Sequence, residues 1–413
     1  MRQPKKFHPY PFDYHQEIDV NVSALSNLGI GIARVKLDEE NPEWVVFVPH
    51  TLPGEKVRAR IFRNDKSHSQ ADLVEVISPS PDRLTPQCSL FGKCGGCQYQ
   101  HLSYEKQLSW KTQQVEELLK HMAGTQANVS PAIASPKQWG YRSKITPHFK
   151  RPRDGQINEI GFLLAGQRSH LVDVPHCPIA MDEINASLPR LREETRANAK
   201  SYKKDATLLL RATEGRVETN PRSPISETVT TTVGDITFHF LAGDFFQNNP
   251  FILPAFTGYV AEQASNGGAK YLVDAYCGSG LFSLCLAHKF EKVAGVEVSE
   301  TAADWARRNA ALNSIQNTTF LASSAEAIFE DIAFPGSETA VVIDPPRKGC
   351  NEAFLNQLFT FGPSKVVYVS CNPATQMRDL TYFLNAGYKI NAVQPFDLFP
   401  QTRHLECVMV LEK

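Results

Sequence analysis

Apolar and polar positions alternate with period two in short runs near the start of the chain, and from about Phe245 they give way to apolar blocks separated by helical stretches. Between Glu17 and Ser78, Ile18-Asp-Val-Asn-Val alternates, Leu28-Gly-Ile-Gly-Ile-Ala supplies turn glycines, Trp44-Val-Val-Phe-Val is a compact apolar run, and Val57-Arg-Ala-Arg-Ile-Phe-Arg alternates again. Short strands broken by turn residues predict a small closed barrel over 14–78. Residues 79–244 open on the Pro-rich stretch 79–86, carry one amphipathic helix over about 104–121 and continue in short β-like segments, which predicts a central α+β domain. Beyond 245, the strands Tyr271-Leu-Val-Asp-Ala, Val293-Ala-Gly-Val-Glu, Ala340-Val-Val-Ile-Asp and Lys365-Val-Val-Tyr-Val-Ser are separated by helical stretches near 281–289, 300–313, 324–332 and 351–361. Strands apolar on both faces, alternating with helices, predict a doubly wound α/β domain over 245–413.

Charge alters this picture locally. The chain of 413 residues has 43 Lys+Arg against 44 Asp+Glu, so its net charge of −1 gives no global argument for a nucleic-acid partner. Between Lys137 and Arg168, however, basic residues at 137, 142, 144, 150, 151, 153 and 168 face only Asp154 and Glu159, with Trp139, Tyr141, His148 and Phe149 interleaved. Aromatics among cations suit looped or single-stranded RNA, where bases stack and phosphates are neutralised. On the barrel, Arg58, Arg60 and Arg63 point outward, as a solvated face or as contacts to an RNA backbone. No apolar run reaches the roughly 18 to 20 residues that span a bilayer, and residues 1–14 lack an apolar signal core. These features predict a cytoplasmic protein with no membrane partner.

Four strand ends carry candidate chemistry. Asp274-Ala-Tyr-Cys-Gly278-Ser-Gly280 follows a strand and opens a helix, and Glu297 ends the next strand, where a carboxylate can accept from two ribose hydroxyls. The turn lacks the full pyrophosphate fingerprint, which points to an adenosyl ligand without a diphosphate, such as S-adenosylmethionine. Asp344-Pro-Pro-Arg-Lys-Gly349 ends the fourth strand, and its prolines stiffen the loop and withhold two amide donors. Ser370-Cys371-Asn372-Pro373 ends the fifth and displays a nucleophile candidate; an ordinary thiol, with a pKa of about 8.5, needs help from its site. The last strand, with His404 and Glu406, is expected to run antiparallel and to bring both side chains near Cys371, giving a nucleophile and a base.

Nine cysteines argue against a disulfide framework in a chain without a secretory signal. Cys88, Cys94 and Cys97, with Cys177 between prolines as the fourth, can hold an iron–sulfur cluster or a zinc ion, the spacing favouring the cluster; His176 or His101 would complete a zinc site instead. Cys277, Cys285, Cys350 and Cys407 are assigned to packing or loop positions.

Over nearly its whole length the chain resembles the RNA uracil-C5 methyltransferases, the family of the bacterial ribosomal and transfer RNA 5-methyluridine enzymes. The motifs that carry the resemblance are the four-cysteine set, Asp-x-x-Cys-Gly-x-Gly, Asp344-Pro-Pro-Arg, Ser370-Cys-Asn-Pro and His404-Leu-Glu406. The resemblance implies a TRAM-like, OB-like β-barrel, a central domain, and a class I, Rossmann-like methyltransferase domain with a mixed seven-stranded sheet. It further implies a four-iron, four-sulfur cluster on Cys88, Cys94, Cys97 and Cys177, with Cys371 as nucleophile and Glu406 as general base. Gln247 in Asp244-Phe-Phe-Gln, Tyr276, Glu297 and Asp344 match the S-adenosylmethionine contacts. Leu281 stands where many members have Asn, and Ser324 falls about where another polar contact is expected. The implied activity is methylation of uridine C5 in 23S rRNA or tRNA through a covalent bond from cysteine to C6, by a monomer. An RNA cytosine-C5 methyltransferase usually carries a second cysteine where this chain has Asp344-Pro-Pro-Arg. A non-catalytic iron–sulfur RNA-binding protein would have no use for the Cys371 and Glu406 pair.

Overall fold

The computed structural model describes residues 7–37, 43–167, 169–323, 328–329 and 331–413. The chain divides into two compact units. One comprises Met1–Gln114, Phe162–Val172 and Gln401–Arg403; the other comprises Val115–Gly161, Asp173–Pro400 and His404–Lys413.

In the first unit, β1 (Glu17–Leu25), β2 (Ile30–Val35), β3 (Trp44–Pro49), β4 (Lys56–Asn64) and β5 (His68–Ser78) close a barrel in the order β1-β2-β3-β5-β4. Period two decides what is inside: Val57, Ala59 and Ile61 of β4 pack with Val20, Val22, Val46, Val48 and Ala71. Arg58 and Arg60 hold the alternate positions, a register shift between Ile61 and Arg63 turns Arg63 outward as well, and each arginine meets a carboxylate. Arg58 lies 3.0 Å from Asp19 and 3.4 Å from Glu75, Arg60 lies 3.7 Å from Asp72, and Arg63 lies 2.7 Å from Asp65. The register places Arg58 directly opposite Asp19 on β1 and Glu75 on β5, where opposite charges attract across the ladder. The outward strand face is thus balanced within the barrel. In the same unit the loop 88–97 is closed by amides donating from Phe91 to the Cys88 carbonyl (3.0 Å) and from Cys94 to that of Leu90 (2.9 Å). The predicted helix appears as α1, Tyr104–Met122.

The second unit contains α2 (Asp182–Ala197), a hairpin of β6 (Pro224–Thr231) and β7 (Gly234–Leu241), and α3 (Leu253–Ser265). There follow β8 (Tyr271–Ala275), α4 (Leu281–Leu286), β9 (Lys292–Glu297), α5 (Glu300–Leu312), β10 (Thr318–Ala322), β11 (Thr339–Ile343), α6 (Glu352–Phe361), β12 (Lys365–Ser370), α7 (Pro373–Asn385), β13 (Lys389–Phe396) and β14 (Glu406–Glu412). Their sheet has the order β10-β9-β8-β11-β12-β14-β13. The first five strands are parallel, and β14 inserts antiparallel between β12 and β13, as expected for the last strand. Leu272, Val293, Val342, Val367 and Val408 face α3 to α5, whereas Val273, Val341, Ile343, Val366 and Met409 face α6 and α7. Burial on both sides is why these strands are uniformly apolar in sequence.

The helix expected near 324–332 is not formed at Ile328, Phe329 or Asp331, which lie in turns; residues 324–327, including Ser324, and residue 330 are outside the described residues. The basic segment also departs from expectation. Tyr141 and Phe149 are fully buried: the Tyr141 hydroxyl donates to the Pro400 carbonyl (2.9 Å), and Phe149 packs edge-on against Tyr202 (4.8 Å). Lys144 turns inward to the carbonyls of Gly243 and Asp244, 2.8 and 3.0 Å away. These three residues serve the fold and not a nucleic-acid surface. Lys137, His148, Lys150, Arg151 and Arg153 remain exposed; Arg168 lies outside the described residues.

Candidate active site

The site forms at the carboxyl ends of β8, β9, β11 and β12, the edge at which open α/β sheets bind ligands. After β8 the chain turns through Tyr276, Gly278 and Gly280 with φ of 66°, 53° and 93°. Positive φ at a bulky residue such as Tyr276 is uncommon and is the kind of backbone strain found at ligand clamps. Below the turn, buried Asp274 accepts from the Ser283 amide (2.7 Å) and hydroxyl (2.6 Å), tying β8 to α4. Burial pushes its carboxyl up to about 7. Glu297, at the end of β9, accepts from the Gly278 amide (3.1 Å) and the Ser299 amide (2.9 Å), so its carboxylate faces the glycine turn.

One cleft of about 1000 Å³ is lined by Gln247, Tyr276, Glu297, Asp344, Cys371 and Glu406 together. All six catalytic and cofactor candidates from the sequence, spread over 160 positions, therefore meet around a single space. Its volume is at the upper end of the roughly 300 to 1,000 Å³ usual for ligand pockets, enough for a nucleoside cofactor and a second ring. Phe245 and Val298, each 75% exposed, offer apolar surface on its wall.

The reacting end is electrostatically crowded. Glu406 is only 4% exposed, and its carboxyl is held well above the ordinary range by burial and by Asp344, against the opposing charge of Arg347. Asp344 is raised by burial and by Asp274. The Cys371 thiol is pushed up to about 11 by burial, then by Glu406 and Asp344, while the charge and hydrogen bond of Arg347 pull it down. A thiol, two carboxyls and one guanidinium thus share a small volume, and adding positive charge there favours both the thiolate and an ionised base.

Arg347 lines the same cleft, and its signal in the sequence is its place after two prolines at a strand's carboxyl end. His404 does not behave as expected. It precedes β14, so the period-two argument does not reach it, and its ring lies edge-on to Phe399 (6.2 Å). Cys277, Cys285, Cys350 and Cys407 are all buried, and Leu281 is buried in α4.

The cysteine set is less clear-cut. Cys88 and Cys94 lie in the hydrogen-bonded loop 88–97, and burial raises the Cys94 thiol. In the other unit the Cys177 loop is fixed by Asn185 of α2, which accepts from the Cys177 amide (2.9 Å) and donates to its carbonyl (3.0 Å). Among the described residues, no three His, Cys, Asp or Glu side chains stand close enough to hold a metal ion.

Residues 199–413 match the family described as tRNA (Uracil-5-)-methyltransferase, and residues 15–74 match the TRAM domain. The chain belongs to the tRNA (uracil-5-)-methyltransferase family. Among its relatives, the tRNA (uracil(54)-C(5))-methyltransferase of Schizosaccharomyces pombe is 43% identical over 425 residues, covering 98% of this chain and 79% of its own. The enzyme of the same name from Saccharomyces cerevisiae is 34% identical over 481 residues, covering 98% and 75%. The crystal structure of Pyrococcus abyssi tRNA (uracil-54, C5)-methyltransferase in complex with S-adenosyl-L-homocysteine matches 95% of this chain and 100% of that one, with a TM-score of 0.69 and 24% identity, a likeness of fold. The seven-stranded sheet with its antiparallel penultimate strand is the methyltransferase fold of this family, and the closed barrel is its TRAM domain.

Proposed function

We propose that this protein transfers a methyl group from S-adenosylmethionine to C5 of uridine 54 in transfer RNA, through a covalent bond between Cys371 and C6 of the base. The observation that carries this reading is the convergence of Cys371, Glu406 and Asp344 with the glycine turn and Glu297 on one cleft. The yeast relatives, named for uracil 54 of tRNA, favour tRNA over 23S rRNA as substrate. The donor set suits the cofactor: Glu297 for the ribose hydroxyls, Phe245 and Val298 for the flat adenine, and Gln247, Tyr276 and Asp344 for the amino-acid end. When bound, the cofactor supplies an electrophilic methyl group on a positively charged sulfur.

The chain's own residues do the rest. C5 of uracil is a weak nucleophile. Attack of the Cys371 thiolate on C6 forms the S–C6 bond and drives the ring electrons into an enolate, whose C5 takes the methyl group. Arg347 steadies the thiolate by charge and hydrogen bond. Glu406 then removes the C5 proton, the S–C6 bond breaks, and the aromatic ring returns with free thiolate. The base must leave its stack first, at a cost of a few kcal/mol; exposed Arg151 and Arg153 are available to the phosphates.

The test is to offer labelled S-adenosylmethionine with unmodified tRNA transcripts carrying uridine or cytidine at position 54, and to map the product by nuclease digestion and mass spectrometry. The expected result is 5-methyluridine at 54 and no label in the cytidine transcript. Label only as 5-methylcytidine, or only in ribosomal RNA, would overturn the reading.

We also propose that Cys88, Cys94, Cys97 and Cys177 hold a four-iron, four-sulfur cluster. Its support is the chemistry and spacing of the donors, three of them on the one hydrogen-bonded loop 88–97; no step of the reaction uses it. Anaerobically purified protein is expected to contain about four iron and four acid-labile sulfide per chain, both lost in a Cys94→Ser variant. Stoichiometric zinc, or no metal, would refute it.

A further inference from the structure

Beyond the cleft, α7 starts two residues after Cys371 and grips the loop that carries Arg347. The Asn372 amide side chain donates to the Arg347 carbonyl (3.1 Å), as does the Thr375 hydroxyl (3.2 Å). Arg378 donates to the carbonyls of Lys348 (2.9 Å) and Cys350 (3.3 Å). Asp379 accepts from the Cys350 amide (2.8 Å). Residues 372, 375 and 379 recur at helical spacing, so one face of α7 meets the backbone of 347–350 along its length.

Asp379 is the centre of this clamp. Its side chain is 1% exposed and paired with Arg378 at 2.6 Å, and the oxygen that accepts from Cys350 also accepts from the Tyr368 hydroxyl (2.7 Å) on β12. One carboxylate thereby joins the strand that ends in Cys371, the helix that follows it and the loop that bears Arg347. Gly349, with φ of 77°, makes the approach possible: a Cβ there would lie 2.5 Å from the Asp379 carboxylate and 2.6 Å from the Arg378 guanidinium. Packing alone does not require a buried carboxylate here, since apolar groups of similar volume are often as stable as buried charge. A carboxylate hydrogen-bonded to a loop amide does require that loop to sit in one place.

We propose that Asp379 is a positioning residue for methyl transfer, acting through the 347–350 loop to hold the Arg347 guanidinium against the Cys371 thiol. This rests on the reading of Cys371 as nucleophile. The Arg347 side chain is long and its residue is exposed, so its aim depends on where its backbone is pinned. Displacing a reacting group by about 1 Å can cost on the order of 10²-fold in rate. The charged and titratable groups that act on the thiol are Glu406, Asp344 and Arg347, and of these Arg347 alone is carried beyond the loop's prolines.

The experiment is the rate of Cys371 alkylation by iodoacetamide as a function of pH, followed by peptide mass spectrometry, in the full-length protein and in Asp379→Asn, Arg347→Met and the double variant. Each single change is expected to move the titration midpoint upward by about one pH unit, a tenfold slower reaction at a fixed pH below it. The double variant is expected to be no slower than Arg347→Met, because both act through one contact. Arg378→Met, at a half-exposed position, is the second variant should Asp379→Asn fail to fold, and is expected to shift the midpoint the same way. An unchanged midpoint in Asp379→Asn or Arg378→Met, or additive shifts in the double variant, overturns the proposal. The readout does not depend on methyl transfer. If a Cys371→Ala enzyme still methylated RNA, the nucleophile reading would fall while the shifts in thiol reactivity were observed regardless.

Discussion

Methyl transfer to tRNA by a Cys371→Ala variant is expected to fall by about 10⁴-fold or more, with S-adenosylmethionine binding retained. Removal of a nucleophile on which every later step depends has costs of this order or larger, because without the S–C6 bond no charge reaches C5. Cys371 sits at the end of β12 on the wall of the cleft and outside the core, so the variant should fold. Two measurements check the claim. One is label transfer from S-adenosylmethionine under single-turnover conditions. The other is the formation of a denaturation-resistant complex with tRNA carrying 5-fluorouridine. Fluorine at C5 cannot leave as a cation, so the adduct formed by the wild-type enzyme should persist. The Cys371→Ala protein should form no such complex, and undiminished methylation by it would end the covalent mechanism.

A Glu406→Gln variant is expected to fail later on the same path. Glutamine fills the space of glutamate but cannot accept the C5 proton, so addition and methylation proceed while elimination stalls. Turnover should drop by about 10² to 10⁴-fold, the usual contribution of a positioned base, and a covalent complex with ordinary tRNA should accumulate. The pH dependence has a definite sign. Burial and Asp344 raise the Glu406 carboxyl above its ordinary range, so at low pH it is protonated and idle, and the wild-type elimination rate rises with pH through that raised value. In Glu406→Gln this rise should vanish, while the dependence on the Cys371 thiol remains, with its midpoint moved down by the loss of the Glu406 charge. A variant that turned over at the wild-type rate without trapping RNA would assign the proton to another group, with Asp344 the next candidate by its place beside Glu406.

The two acids also explain why the site is built from groups that oppose each other. Raised carboxyls bind a proton in the folded protein that they would lose when unfolded, so between those values stability falls as pH rises. The fold tolerates this through Arg347 and through the deep sheet core beneath the cleft. Strain at the Tyr276 turn belongs to the same arrangement: backbone and charge are both held in states that the surrounding structure imposes.

Much of this architecture is legible in the sequence. Uniformly apolar strands alternating with helices identify a parallel sheet, and the motifs at the ends of β8, β9, β11 and β12 must then share one edge, because parallel strands all present their carboxyl ends to the same side. That topology brings Glu297, Asp344 and Cys371 together before any side chain is placed, and an antiparallel last strand adds Glu406. Period two likewise sorted the barrel strand β4 into inward Val57, Ala59 and Ile61 and outward Arg58 and Arg60, whereas Arg63 is turned outward by a register shift that the alternation does not reveal. What depends on partners distant in sequence was not legible. The balance of Arg58 by Asp19 and Glu75 follows from the barrel's register; the turning inward of Tyr141, Phe149 and Lys144 follows from packing against residues 53 to 259 positions away; and His404 escaped the period-two rule because β14 begins only at Glu406.

The sequence by itself therefore determined the sheet and its chemical edge, and with them the place of the residues proposed as nucleophile and base, since these follow from local periodicity and from chain direction. The tertiary structure alone decided how the charges are shared: that Arg347 leans on Cys371, that Asp344 raises Glu406 and is itself raised by Asp274, and that Asp379 accepts from the amide of Cys350 in the loop that bears Arg347. Electrostatic and hydrogen-bond energies fall off over a few ångströms, so they are set by the final distances between side chains, and those distances exist only once the chain has packed.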